Sequence, residues 1–275
     1  MKSIIHISDP HFGQSDPAIA EALLDEIHAA RPALVAVSGD LTQRARHAQF
    51  LAARAWLDRL LVPVLVVPGN HDIPFFDVVR RFGTPRERYL HYISSDLAPC
   101  FVDDEIAVCG IDTTKSFTLK HGQITREQAE RVAALLAPHT NHWRILVAHH
   151  PFEHATGADE VIPLLEAAGV DLVLTGHLHV PHLANVAMRN EAHTMVAVHA
   201  GTCMSTRLRG EPNGYNQLQF DGEHVRIVHR EWRDFRFVDG AEKHYRRSER
   251  GRERIIKERE VPPVPLRFPQ LVPVP

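Results

Sequence analysis

Short apolar runs recur along the chain, and each ends abruptly in a polar cluster: Ser3 to Ser8, Leu34 to Ser38, Val64 to Pro68, Ile145 to Ala148 and Leu172 to Thr175. Runs this short, bounded by Gly, Asn, Asp or Pro, predict buried strands. Between them the period lengthens. Asp16-Pro17 offers an N-cap followed by proline at the first helical position, and Ile19, Leu23 and Ile27 form a stripe at a spacing of four, which predicts a helix. A second helix is expected over residues 45–61, burying Phe50, Trp56, Leu57 and Leu60 and ending before Pro63. Thr125 and Gln128 stand at capping-box spacing and open a helix carried by Ala129, Val132 and Leu136. Gly169 is placed to end another that begins near Asp159.

The rest of the pattern is strand-like. Cys100 to Val102 and Ile106 to Ile111 flank Asp103-Asp104-Glu105 as a hairpin. His193 to His199, Asn216 to Phe220 and Val225 to Glu231, the last two joined by an Asp221-Gly222 turn, predict a second sheet packed on the first. Alternating strands and helices followed by a strand-rich end make the chain α/β. From Lys243 to Glu260 both charge signs are dense, and Glu253 and Lys257 stand at helical spacing, so a solvated helix or tail is expected there. Val261 to Pro275 is proline-rich and apolar, and is expected to lie extended in a groove of its own domain or across a subunit boundary. The expected division is therefore a domain over 1–240 and a charged, proline-rich segment over 241–275.

Composition narrows the classes. With 275 residues, 44% of them hydrophobic, the chain can bury one large core. A net charge of −3 gives no global electrostatic case for a nucleic acid or a membrane surface. Three scattered cysteines, Cys100, Cys109 and Cys203, in or beside apolar runs, are expected to be buried reduced thiols. With no secretory leader or apolar span in the sequence, the expected location is the cytoplasm.

The polar clusters that end the strands carry the chemistry. In order they are Asp9-x-His11, Gly39-Asp40, Gly69-Asn70-His71-Asp72, His149-His150-Pro151 and Gly176-His177-x-His179, all placed at the carboxyl edge of one sheet. Each alone has an ordinary reading as a turn or a strand histidine, and a chain with 20 histidines contains some pairs by chance. All five, each after an apolar run, point to one dinuclear metal site. Oxygen and imidazole donors without thiolate suit Mn, Fe, Zn or Co. Pro10 favours a turn that lets Asp9 and His11 face one ion. A carboxylate at Asp40 can offer one oxygen to each of two cations. Asn70 adds a neutral oxygen that keeps the Lewis acidity high. Two cations so held lower the pKa of a water between them and clamp phosphoryl oxygens, which is phosphoester hydrolysis chemistry.

These motifs, with Gly110-Ile-Asp112, Gly122-Gln-Ile-Thr125, Ala200-Gly201-Thr202, Arg207 to Gly210 and Asn213 to Asn216, resemble the calcineurin-like metallophosphoesterases, and most of all their class III cyclic nucleotide phosphodiesterase and glycerophosphodiesterase branch. The resemblance covers about residues 1–230 and implies a four-layer αββα sandwich with two mixed central sheets flanked by helices. It implies one metal held by Asp9, His11, Asp40 and His179 and a second by Asp40, Asn70, His149 and His177. His71 would contact the phosphoryl group or protonate the leaving oxygen, with Asp72 orienting it. The implied reaction is attack of a metal-bridging hydroxide on a small phosphodiester, foremost a 3′,5′-cyclic nucleotide. Glycerophosphodiesters, phosphomonoesters and nucleotide pyrophosphates are alternatives, and a non-catalytic metal- or nucleotide-binding protein is the reading from another class. A homodimer is a further expectation of the resemblance.

Adjacent His149 and His150 would face opposite sides of a strand, so only one is expected to ligate, and His150 is left as a supporting or structural residue. Arg80, Arg81, Arg86 and Arg88 are read either as phosphate contacts or, preferably, as a solvated helix face. His6, His28, His47, His193 and His224 are read as structural.

Overall fold

The computed structural model describes residues 1–118, 120–185, 195–250 and 253–259. The elements run β1 (Lys2–Ile7), α1 (Pro17–Ala30), β2 (Leu34–Val37), α2 (His47–Leu57), β3 (Val64–Val66), α3 (Val78–Gly83), α4 (Glu87–Tyr92), β4 (Cys100–Val102), β5 (Ile106–Gly110), β6 (Gly122–Gln123), α5 (Arg126–Leu136), β7 (Trp143–Val147), β8 (Ala155–Thr156), α6 (Ala158–Ala167), β9 (Leu172–Thr175), β10 (His182–Asn185), β11 (Val196–His199), β12 (Gly214–Asp221), β13 (His224–Arg233), β14 (Arg236–Arg250) and β15 (Glu253–Arg259). One mixed sheet has the order β15-β14-β13-β12-β1-β2-β3, a second has β10-β11-β9-β7-β5-β4, and β6 pairs with β8 alone.

Strand alternation sorts the apolar side chains into three cores. Ile4, Leu34, Ala36, Ile145, Leu172, Val198, Leu218 and Phe220 fill the space between the two sheets. The opposite face of the first sheet, with Ile5, Ile7, Val35 and Val37, packs on α1 and α2 through Leu23, Ile27, Phe50 and Trp56. The opposite face of the second sheet, with Ala107, Leu146 and Val173, packs on α5 and α6 through Val132, Leu136, Val161 and Leu165. The result is the four-layer αββα sandwich. The predicted caps of α1 and α5 form: Asp16 accepts from Ala18 N and Ile19 N, and Thr125 accepts from Gln128 N. Gly169 follows α6 with φ +72°.

Several expectations are corrected. The late strands β12 and β13 belong to the first sheet, because β12 pairs antiparallel with β1, Ile4 opposite Leu218, and its inward Leu218 and Phe220 extend the shared core. Only β11, at the end of the His193 to His199 run, joins the second sheet; His193 itself lies outside the described residues. The charged stretch after Lys243 is not a helix: its described residues form β14 and β15, and β14 runs straight through position 240. Val261 to Pro275 lies outside the described residues. Cys100 and Cys109 stand opposite each other across β4 and β5 and form a disulfide, leaving Cys203 as the buried free thiol. That pairing removes the cysteine argument for a reducing compartment. Among the described residues no helix is long and apolar enough to cross a membrane.

The four arginines between Ile73 and His91 do neither of the jobs expected of them as a group. Arg81 is buried, and its guanidinium donates to three carbonyls, Ser116 O at 2.7 Å, Pro74 O at 3.1 Å and Thr118 O at 2.8 Å. Arg86 pairs with Asp112 and donates to Thr114 O, and Arg88 donates to Ala45 O. Only Arg80, paired with Asp77 and Glu87, is a solvated ion-pair residue. Arg81→Met is expected to cost about 2–4 kcal/mol in urea unfolding, since it leaves one buried and two half-buried acceptors without their donor. Arg80→Ala should leave the midpoint unchanged. Equal midpoints for the two variants would contradict this division.

Candidate dinuclear metal site

The five motifs lie at the carboxyl ends of strands in two facing sheets, not one. β1, β2 and β3 deliver Asp9 and His11, Asp40, and Asn70 to Asp72, while β7 and β9 deliver His149 and His177 to His179. The sheets are stitched together at this level. The ring of His149 donates from Nδ1 to Ser38 O at 2.7 Å, and the backbone N–H of His177 donates to Asp9 Oδ2 at 3.0 Å.

The chain reverses sharply after β1, β2 and β9. Asp9, His11, Asp40, His177 and His179 all adopt left-handed backbone, with φ between 47° and 69°. For residues with a β-carbon this conformation is uncommon and strained, and such strain concentrates at functional sites. Here it turns donor side chains back toward a common centre. Two glycines make the close approach possible. A β-carbon on Gly69 would strike the backbone and carboxylate of Asp40, and one on Gly176 would strike Ser8 and Asp9.

Two donor groups result. In the first, Asp9, His11, Asp40 and His179 are all buried; His179 Nε2 lies 3.1 Å from Asp9 Oδ1 and 3.2 Å from His11 Nε2, and His11 Nε2 lies 3.9 Å from Asp40 Oδ2. In the second, Asn70 Oδ1 lies 3.0 Å from both His149 Nε2 and His177 Nδ1, and His149 Nε2 lies 3.4 Å from Asp40 Oδ1. The two oxygens of Asp40 therefore divide between the groups. Donors held about 2.0–2.2 Å from a shared cation stand roughly 3–4 Å apart, the spacing found in both.

The proton inventory supports the same fit. Arg207 O and Ser38 O can only accept, so they take the Nδ1–H of His179 and His149, and in the neutral form of each ring, the form that ligates metal, Nε2 is then the lone pair directed into the donor group. Fixing the tautomer through the other ring nitrogen is how proteins present imidazole to metals. Asp9 Oδ1 and His11 Nδ1 are buried without a hydrogen-bond partner. Burial, together with the nearby Asp9 and Asp72 charges, pushes the Asp40 carboxyl well above the usual carboxylate range. Burial holds the His11 imidazole well below its ordinary value and that of His177 down to about 3. Neutral rings beside uncompensated carboxylates fit a pair of cations.

Asp72 does something other than orient His71. Its buried carboxylate accepts from the backbone N–H groups of Leu41, Thr42 and Gly69, at 3.1, 2.8 and 2.9 Å, and from the Thr42 hydroxyl. It ties the Asp40 turn to the Asn70 turn. The His71 ring is held instead by Gln43 O at 2.9 Å from Nδ1 and Arg207 Nη1 at 2.9 Å from Nε2. Burial holds this imidazole down to about 4, opposed by the Gln43 hydrogen bond and reinforced by the Arg207 charge.

His150 also departs from expectation. β7 ends at Val147, so alternation no longer governs residues 149 and 150, and both rings approach His177, with centroids 5.2 and 4.6 Å from it. His150 Nδ1 bonds the Thr113 hydroxyl at 2.8 Å, while its Nε2 is buried without a partner.

A cavity of about 210 Å³ opens over the two groups, lined by Asp40, Asn70, His71, His177 and His179 and rimmed by Arg44, Lys120, Arg207, Arg209 and Phe75. None of the arginines from 80 to 88 reaches it. Nothing in local spacing marks Arg44 or Lys120, and Arg209 falls in the Arg207 to Gly210 stretch of the resemblance without a role of its own. They meet only because the loops after β2, β5 and β11 converge over the sheet ends.

Residues 2–181 match the family model described as calcineurin-like phosphoesterase. The chain is 26% identical over 270 residues to the DNA double-strand break repair protein Mre11 of Haloferax volcanii, an alignment covering 87% of this chain and 54% of that protein, so it spans about half the relative's length. Among solved structures it is similar to a dimetal phosphatase from Danio rerio, with TM-score 0.64 at 14% identity over 86% of this chain and 98% of the other. It is also similar to the purple acid phosphatase PPD1 of yellow lupin, Lupinus luteus, with TM-score 0.60 at 16% identity over 86% and 52%. With the family's match spanning all five motifs, from Asp9 to His179, this chain belongs to the calcineurin-like phosphoesterases.

Proposed function

We propose that the protein is a dinuclear-metal phosphodiesterase acting on a small phosphodiester, with a 3′,5′-cyclic nucleotide as the leading substrate. The observation that carries this reading is the division of the Asp40 carboxylate between two donor groups, Oδ2 toward His11 and Oδ1 toward His149. Asp9, His11, Asp40 and His179 hold one transition-metal ion; Asp40, Asn70, His149 and His177 hold the other. When bound, such a pair supplies Lewis acidity to phosphoryl oxygens and to an attacking water. Asp72 fixes the spacing between the Asp40 and Asn70 turns. The rim cations draw an anionic ester inward, and Phe75 gives its organic part an apolar wall.

A second reading is a phosphodiester within a nucleic-acid strand. It is favoured by the similarity to Mre11 and by Arg44, Lys120 and Arg209, a local basic rim that the net charge of −3 conceals.

Metal analysis after dialysis should find two ions per chain. Asp40→Ala should lose both, whereas His179→Ala should lose mainly the first. A variant lacking the Asp40 carboxylate that still holds two ions would defeat the reading.

Substrate class is tested with Mn-loaded protein on cyclic nucleotides, glycerophosphodiesters, dinucleotides and monoesters. Diesters should be turned over at kcat/KM at least about 10²-fold above the monoesters, about 2.7 kcal/mol in transition-state binding, and a chelator should abolish all activity. A preference for monoesters would reject phosphodiesterase in favour of phosphatase chemistry.

A further inference from the structure

His71 lines the cavity beside the candidate metal ligands, yet its two nitrogens are already committed. Gln43 O can only accept, so the proton of the ring sits on Nδ1. A guanidinium can only donate, so Nε2, 2.9 Å from Arg207 Nη1, carries a lone pair. The nitrogen that faces the cavity is an acceptor.

Arg207 has the features of a ligand-binding residue. It lines the same cavity as Asp40, Asn70, His177 and His179. Among the described residues no carboxylate lies within ion-pair distance of its guanidinium, and the bond to His71 is the one hydrogen bond that group makes. Four further N–H donors thus remain for a guest. Its loop is anchored: Cys203 N donates to Ser8 O, Thr206 N to Gln14 O and Arg207 N to Ser205 Oγ. The carbonyl of the same residue takes the Nδ1–H of His179. One residue therefore links a candidate metal ligand, the cavity and His71.

We propose that Arg207 grips the phosphoryl group of the substrate and that His71 is its positioning residue, accepting from the guanidinium and aiming its remaining donors at the phosphoryl oxygens, rather than the donor of a proton to the leaving group. The inference rests on the phosphodiesterase reading for what occupies the cavity. A planar guanidinium held at one edge presents two parallel N–H groups to a phosphate, and an ammonium cannot reproduce that fork.

The test separates positioning from proton transfer. On a diester with a p-nitrophenolate leaving group, Arg207→Ala should lower kcat/KM about 10²-fold, the scale of a lost donor to developing charge, and Arg207→Lys should recover less than about a tenth of the lost activity. His71→Ala should lose the same factor on that substrate as on one with an alkoxide leaving group, and the double variant should fall within about threefold of Arg207→Ala alone. In zinc-loaded protein, long-range nitrogen–proton NMR of the His71 ring should show Nδ1 protonated and Nε2 bare, and orthophosphate should bind Arg207→Ala at least about tenfold more weakly than the native chain. A His71→Ala loss that grows with leaving-group basicity, multiplicative losses in the double variant, or a proton on Nε2 would overturn the proposal. If the native protein hydrolyses no diester, the function proposed above falls, while the ring spectrum and phosphate binding still decide this one.

Discussion

Three carboxylates, Asp9, Asp40 and Asp72, are buried at the level where the two sheets meet, and none has a lysine or arginine ion-pair partner among the described residues. Burying like charges together is costly unless something compensates them. Asp72 is compensated by three backbone N–H groups and a hydroxyl. Asp9 accepts from the Ser8 hydroxyl and the His177 N–H, and Asp40 from the His71 N–H, while their remaining oxygens face imidazole rings, an arrangement that a pair of cations would compensate. The left-handed turns, the glycines without room for a β-carbon and the cross-sheet hydrogen bonds all serve to hold that arrangement. Strain at the strand ends is carried by the large apolar cores beneath, where Ile4, Ile5, Ile7 and Leu23 are fully buried.

Much of this was legible in the chain. The strand ends could be located because buried strands read as unbroken apolar runs and the residues that stop them are chemically distinctive. Asp9, Asp40, Asn70 and the histidines at 149, 177 and 179 each sit beyond such a run. What failed was pairing. Nothing in the local pattern says that β12 returns to the free edge of β1, or that the clusters divide between two sheets. Arg207 lies far along the chain from His71, in a loop without periodic signal, so their contact was out of reach of spacing arguments.

The charged segment shows a different kind of failure. Phe237 and Tyr245 are eight residues apart in β14, which in a regular strand would put both on one face. Yet Phe237 packs with Tyr215 and Trp232 on the helix side, while Tyr245 enters the core between the sheets. The register shifts between them: Val228 faces Glu242 and Arg230 faces Asp239, so β14 holds one more residue than β13 over that interval. Such a bulge inverts the alternation downstream. Dense Arg and Glu on the solvent face hide what remains of the period, so the sequence reads as helix or tail.

A carboxylate shared between two cations is the central feature of the proposed site. The most direct measurement is anomalous diffraction at the manganese edge from crystals of the Mn-loaded protein. Two peaks about 4 Å apart, one within coordination distance of each Asp40 oxygen, are the expected result. A single peak, or two peaks with Asp40 bound to only one of them, would contradict it.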